Sequence, residues 1–386
     1  MATVVSGADS GIFPGDRFGP QNAQAKAAAC TEALDSAYQL LQEGQVQDGM
    51  ELLMQRLSEI RRISDAVEWD AIFQAQALNH PISRLIWQDP FTDHSYRRPR
   101  GYPGDAGLLD YIYGIRPAPT DTSSIGAEIF KFNGDRQAPK SVRSRADVLA
   151  RTIDEVAEQH HSPRILSIAC GHLREAHLSK AVVGGRIGEF IALDQDDESL
   201  AEVQRTYPGK GLHTIKQSVR AILAEHVRFD DLDLVYAAGL YDYLSDRVAS
   251  RLTRLMFDML APGGRLLVAN FAPCLNDIGY MESFMGWKLI YREAEQMLAC
   301  GSEIASSEWK SHRLFWDEHE SIVFLEITKR DARKGSLMVM PGLQHKVALS
   351  GMANVQVADG LSKHRNGKRH RSVESNRQPD SEFRNS

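Results

Sequence analysis

The chain has 386 residues, a formal charge of −6 and 42 % hydrophobic residues, which leaves room for one large catalytic domain, an accessory region and a sizeable core. The acidic balance supplies no global basic field to recruit nucleic acid. Four widely spaced cysteines with no C-x-x-C pair indicate neither a zinc site nor a disulfide framework, and no apolar run is long enough to span a bilayer.

Residues 1–20 are Gly-rich and read as a flexible N-terminus. They lack a basic region followed by an apolar run, so no signal peptide is expected and the expected location is cytoplasmic. Residues 21–88 read as a helical accessory module. Ala27, Cys30, Ala33, Leu34, Ala37, Leu40 and Leu41 recur at helical spacing, Gly44 breaks that helix, and Met50, Leu52, Leu53, Leu57 and Ile60 continue on a second. A third helix is predicted over about 64–78. These stripes are most simply core, although the module can also pair subunits or cover an acyl chain.

Residues 89–138 read as an irregular connector or lid, dense in chemical groups. Arg97, Arg98 and Arg100 crowd against Pro99 and Gly101, and a guanidinium can hold a carboxylate through two parallel hydrogen bonds. Tyr102, Tyr111 and Tyr113 carry hydroxyls on apolar bodies. Arg100 and Tyr102 are the candidates for acceptor chemistry. Tyr111 shares a helical face with Leu108 and reads as packing. Asp105 either caps a helix over 106–113 or meets a ligand.

Residues 139–332 alternate strand and helix. Arg143 and Arg145 precede an amphipathic helix over 146–156, where they either close over a ligand carboxylate or form surface ion pairs. A strand over 165–169 runs into a small-residue turn at Cys170–Gly171, where glycine lets a ligand approach the backbone. A helix and a second strand, 189–193, follow. That strand ends at Asp194, about 20 residues beyond the turn, where an acid can accept both hydroxyls of a ribose. A strand over 233–237 ends in Ala238, Gly239, Leu240, Tyr241, Asp242 and Tyr243. A helix (245–260), a strand (265–271), a helix at about 281–300 and two β-rich runs, 303–310 and 321–328, complete the region. The extension 333–386 turns polar and basic from about 359 and is expected to be disordered there. Its cluster 363–371 reads as a solvated tail, with contact to nucleic acid or anionic lipid as the alternative.

The turn discriminates between ribose-bearing cofactors. A dinucleotide site wants G-x-G-x-x-G facing a pyrophosphate. Here one glycine is followed by His172, Leu173, Arg174 and Glu175, which would crowd and repel a pyrophosphate. S-adenosylmethionine carries no phosphate, and Glu175 suits its cationic end. An α/β turn that merely packs is the alternative. The expected cofactor set is Ala169, Cys170, Gly171, Glu175, Asp194, Gln195, Ser218, Ala238, Gly239 and Arg143. Cys170 can equally be a small buried residue.

Strand–helix alternation ending in a hairpin, with Leu260 and Pro262–Gly263–Gly264 leading a strand, resembles the class I S-adenosylmethionine-dependent methyltransferase fold: a doubly wound, Rossmann-like α/β sheet with a terminal antiparallel hairpin, here preceded by the helical module. The sequence departs from that family's turn, which has an acid at the position of Ser167 and glycines at those of Ala169 and Leu173. The strings DPFT, RPRGYPGDAGLLDYIYG, SIACG and AAGLYDYL are similar to a bacterial methyltransferase family that includes the synthases of 3-hydroxypalmitic acid methyl ester. The resemblance implies methyl transfer to a small or fatty-acid-type acceptor, its sharpest form a carboxylate.

The sulfonium activates the methyl group, so the protein chiefly has to position the nucleophile. A carboxylate acceptor needs no base; a hydroxyl or amine can need one. His172, Tyr241 and Tyr243 are the groups available at this face, of which His172 and Tyr241 are the catalytic candidates, with packing as the alternative for Tyr241 and a helix-start acid as the reading of Asp242. Thirteen scattered histidines form no metal pattern. The rivals are another acceptor, an amine or hydroxyl, within the same fold and a non-catalytic binding protein that kept the fold and lost the cofactor.

Overall fold

The computed structural model describes residues 23–209 and 211–331. The expectations for residues 1–20 and for 333–386 lie outside the described residues.

Seven strands form one sheet in the order β3-β2-β1-β4-β5-β7-β6. They are β1 (Arg164–Ile168), β2 (Glu189–Asp194), β3 (Leu212–Lys216), β4 (Leu232–Ala237), β5 (Leu260–Phe271), β6 (Trp309–Trp316) and β7 (Ile322–Lys329). The first five run parallel, and β7 is antiparallel to both β5 and β6. This is a doubly wound, Rossmann-like α/β sheet with a terminal antiparallel hairpin. Successive β4 side chains enter opposite cores: Leu234 and Tyr236 face one, Val235 and Ala237 the other. A strand covered on both faces therefore reads as a continuous apolar run. Chain order reverses at β1, which lies between β2 and β4, and this opens a crevice at the carboxyl ends of the strands.

One face of the sheet shares its core with the N-terminal helices. Ala23–Gln42 and Val46–Ile63 are joined through Gly44, whose φ of +76° suits a residue without a Cβ. Cys30, Leu34, Ala37, Leu53 and Leu57 bury their stripe within the chain.

Several boundaries differ from the sequence reading. The connector is largely helical, because Asp89, Asp105 and Ser123 cap the helices Pro90–Arg97, Ala106–Ile112 and Ser124–Gly134. The helix carrying Arg143 and Arg145 begins nine residues early, at Gln137, where Asp277 Oδ2 accepts the Ala138 amide at 2.7 Å. No long helix follows the Cys170–Gly171 turn. Ala169, Gly171 and Leu173 have φ of 52°, 53° and 52°, so only a 3-10 turn (Arg174–His177) and a short helix (Lys180–Val183) can form.

The helix expected at 281–300 is split into Ile278–Phe284 and Ala294–Ala299. Gly286 is left-handed (φ +59°), and the following segment docks on the sheet: Ile290 N–H donates to the Asp242 carbonyl and Arg292 N–H to that of Phe271. The hairpin's first strand lies at 309–316 rather than 303–310. Asp317 Oδ1 accepts the amides of Ser321 and Ile322, which closes a tight turn directly after Trp316.

Candidate active site

A cavity of about 740 Å³ opens at the carboxyl ends of β1, β2, β4 and β5, within the usual ~300–1,000 Å³ of small-molecule sites. Its floor is the turn after β1. The Gly171 amide donates to Asp194 Oδ2 at 2.8 Å, and the Asp196 amide donates to Asp194 Oδ1 at 3.0 Å. Burial raises the Asp194 carboxyl, and those two amides pull it back. Ala169, Cys170, His172, Glu175, Gln195, Ser218, Ala238 and Gly239 all line the same space.

Glu175 is buried under the turn and accepts the Tyr236 hydroxyl at 2.6 Å. Its carboxyl is raised by burial, with the tyrosine bond and the Arg145 charge opposing. Ser167 pairs with Tyr236 in the β1–β4 register. A carboxylate therefore sits one side chain from the strand position where the resemblance expects an acid.

Two residues, Tyr241 and Arg143, are placed otherwise than expected. Tyr241 is fully buried and does not reach the cavity. Its hydroxyl meets Thr253 Oγ1 at 2.7 Å, because its 3-10 turn aims it into the opposite core. Asp242 and Tyr243 face the cavity instead. Arg143 donates to the carbonyls of Ile112 and Gly134 and stays outside. Arg145, two residues on, lines the cavity and donates to the Ala238 carbonyl at 3.0 Å.

Arg100 and His172 line the space but have committed partners. Arg100 donates to Asp196 Oδ2 at 2.8 Å and to Ser199 Oγ at 3.0 Å, with His172 Nε2 at 3.2 Å. It straps the connector to the loop after β2 and is no open fork for a carboxylate. His172 Nδ1 lies 2.9 Å from Asp110 Oδ2, so both ring nitrogens are engaged and neither is free to act as a base. Asp110 also takes a two-point bond from Arg174, at 2.7 and 2.6 Å. Burial alone would raise its carboxyl, but Arg174 and His172 outweigh that and bring it to about 2.

Tyr102 lines the cavity beside Asp194, and burial followed by that negative charge raises its phenol. Asp105 has the capping role, accepting the Leu108 amide at 2.8 Å and facing His94 Nε2 at 2.9 Å. The far wall takes in Tyr113 of the connector, together with Val142, Leu149, Tyr236, Trp287 and Leu289, which the sequence reading does not single out. Gly104 packs directly on it. A Cβ there would lie 2.5 Å from the Trp287 ring and 2.7 Å from the Tyr243 hydroxyl. Period-2 alternation in β4 could have marked Tyr236; nothing local marks Trp287.

Among the described residues, no cluster of His, Cys, Asp or Glu could hold a metal ion, and no helix is long and apolar enough to cross a membrane.

No protein-family model matches the chain, and no curated protein matches it. Solved structures are similar to it. One is a possible exported protein from Bordetella parapertussis, at 15 % identity over 83 % of this chain and 100 % of that one, TM-score 0.49. Another is magnesium protoporphyrin IX methyltransferase from Synechocystis PCC 6803 with bound SAH, at 14 % identity over 61 % of this chain and 100 % of that one, TM-score 0.41. A third is the N-methyltransferase NodS from Bradyrhizobium japonicum WM9 in complex with S-adenosyl-L-homocysteine, at 13 % identity over 47 % and 85 %, TM-score 0.35. These likenesses assign no residue.

Proposed function

We propose that this chain is an S-adenosylmethionine-dependent methyltransferase acting on a small or lipid-like acceptor. The observation that carries the reading is Asp194: a cavity-lining carboxylate at the end of β2, cross-linked to the glycine of the turn after β1 and buried at the strand-order reversal.

The cavity's donor set fits the cofactor. Asp194 would accept the ribose hydroxyls, since each of its oxygens keeps a lone-pair site beyond the amide it already holds. Glu175, oriented by Tyr236, would face the ammonium. Arg145 would take the amino-acid carboxylate, because no carboxylate pairs with it among the described residues. When bound, the donor supplies a methyl group already activated on a sulfonium. Trp287, Leu289 and Tyr243 would exclude water beside the acceptor. Holding the acceptor in line can contribute about 7–11 kcal/mol to lowering the barrier.

The sharpest acceptor is the fatty-acid-type carboxylate implied by the sequence resemblance, giving a methyl ester. It needs no base, and the mostly apolar far wall suits a hydrocarbon body. A hydroxyl or amine acceptor is the second reading, favoured by the cavity-facing carboxylate of Asp242. A non-catalytic protein that kept the fold and lost the cofactor is excluded by one experiment: calorimetric titration with S-adenosylhomocysteine of the wild type and of Asp194→Ala. Micromolar binding that the variant loses is expected. No binding to the wild type would sink the methyltransferase reading, and equal binding to both would sink the ribose assignment.

A further inference from the structure

One acidic group on the cavity wall has no task in holding the cofactor. Asp242 follows β4, and two backbone elements fix it: its Oδ1 accepts the Phe271 amide at 2.7 Å, and its carbonyl accepts the Ile290 amide at 2.7 Å. Oδ2 takes no hydrogen bond from another described residue, and the residue lines the cavity while only 3 % exposed. Four charged or titratable groups face it. Arg145 comes from the helix Gln137–Gln159, Arg292 and Tyr291 from the segment after Ile278–Phe284, and Tyr243 from its own turn.

None of them pairs with it. Arg292 is spent on Asp246, Asn270 and the carbonyls of Tyr241 and Leu244. Arg145 donates to the Ala238 carbonyl. Trp287, Leu289 and Phe271 supply apolar neighbours along the same wall. A rigid carboxylate held in such a setting, with one oxygen bonded by no other described residue, favours a proton or a donor brought in by a ligand.

We propose that Asp242 is a catalytic base that takes the proton from a hydroxyl or amine acceptor as that acceptor is methylated, an inference that rests on the methyltransferase reading above with its second acceptor class, a hydroxyl or amine, in place of the carboxylate. The O–H or N–H proton passes to Asp242 Oδ2. The acceptor's lone pair forms the new bond to the methyl carbon, and the carbon–sulfur bond breaks with its electron pair left on sulfur. Burial raises the Asp242 carboxyl to about 6, against the Phe271 amide and the charges of Arg145 and Arg292. That value lies closer to neutrality than an ordinary aspartate and suits a proton acceptor. A carboxylate acceptor has no proton to give and would set a second negative charge against Asp242.

The test compares the full-length wild type with Asp242→Asn, which keeps an oxygen for the Phe271 amide. Three readouts are taken: affinity for S-adenosylhomocysteine, the infrared carboxyl band of the complex between about pH 5 and 8, and labelled-methyl transfer to dodecanoate, dodecanol, dodecylamine and a dodecyl phenol. The inference expects S-adenosylhomocysteine affinity within about 3-fold of wild type. It expects a protonated-carboxyl component that titrates near 6 in the wild-type-minus-variant difference spectrum, the raised Asp89 carboxyl being common to both. It expects methylation of an alcohol, phenol or amine that falls about 10²–10⁴-fold in kcat, with loss of the rising pH limb. Loss of S-adenosylhomocysteine binding in the variant, undiminished methylation by it, or a wild type that methylates only dodecanoate or no probe would each overturn the assignment. Failure of the wild type to bind S-adenosylhomocysteine is a separate outcome that removes the methyltransferase reading itself.

Discussion

The Tyr236 hydroxyl donates to Glu175 Oε1 at 2.6 Å, linking the end of β4 to the turn after β1 beneath the cavity floor. Both side chains are buried. The bond orients an acid that local sequence would place on an ordinary helix.

Glu175→Gln keeps an acceptor for Tyr236 and removes the charge. If Glu175 faces the cofactor's ammonium, affinity for S-adenosylmethionine falls by about 1.5–3 kcal/mol, or roughly 10- to 100-fold. The stability effect has the opposite sign. Burial raises the Glu175 carboxyl, so its ionisation costs the folded state stability as pH rises through the folded value. Above neutrality the glutamine variant should melt higher than the wild type. Calorimetry and thermal melts check the two halves; an unchanged affinity would reject the contact.

Arg145 and Arg143 should separate cleanly. Arg145→Met removes the cavity-facing guanidinium and should weaken S-adenosylhomocysteine binding about 10- to 100-fold, the worth of hydrogen bonds to a charged group. Arg143→Met removes bonds to the Ile112 and Gly134 carbonyls. It should cost stability by about 1–2 kcal/mol and leave affinity unchanged. Equal affinity losses in the two variants would contradict the placement.

The Asp110–Arg174 pair is a stability element with a defined pH window. Asp110→Asn leaves Arg174 with Glu202, at 2.9 Å, as its remaining carboxylate and should destabilise the fold by about 1.5–3 kcal/mol, read from the urea midpoint. The Asp110 carboxyl is lowered from 3.8 to about 2. Its contribution is therefore present above about pH 4 and lost as pH falls towards 2. The variant should lack that part of the wild-type loss.

Ala169→Gly should be tolerated where Leu173→Gly is not. Both residues sit in the left-handed region, which costs a non-glycine residue about 1–2 kcal/mol. At Ala169 glycine relieves that strain and offsets its own ~0.5–1 kcal/mol entropy cost, for a net gain of at most about 1.5 kcal/mol. Leu173 is 1 % exposed, so the same change also empties core volume and should cost about 2–4 kcal/mol net. Denaturant unfolding of the two variants checks the signs.

The features that could be read along the chain depend on interactions spanning a few residues. Apolar runs at strand length set β1, β2, β4 and β5; Asp194 ends its strand, and Asp105 caps the helix that follows it, because each needs only its immediate neighbours. The turn kept its left-handed backbone at Ala169 and Leu173 although the glycines are absent, since the strand ends around it impose that path. Which side chain faces the cavity was settled by packing between distant segments. Arg143 and Arg145 lie two apart on a helix of 3.6 residues per turn, so they point in nearly opposite directions, and only docking on β4 and the connector chose between them. Tyr241 and Asp242 are adjacent, yet one is drawn into the core under the helix Asp246–Asp258 and the other onto the cavity wall. Arg100 finds Asp196 across 96 residues, and Glu175 finds Tyr236 across 61. Contacts at that separation leave no periodic trace in a single sequence, because each exists only once the sheet has brought its strand ends together.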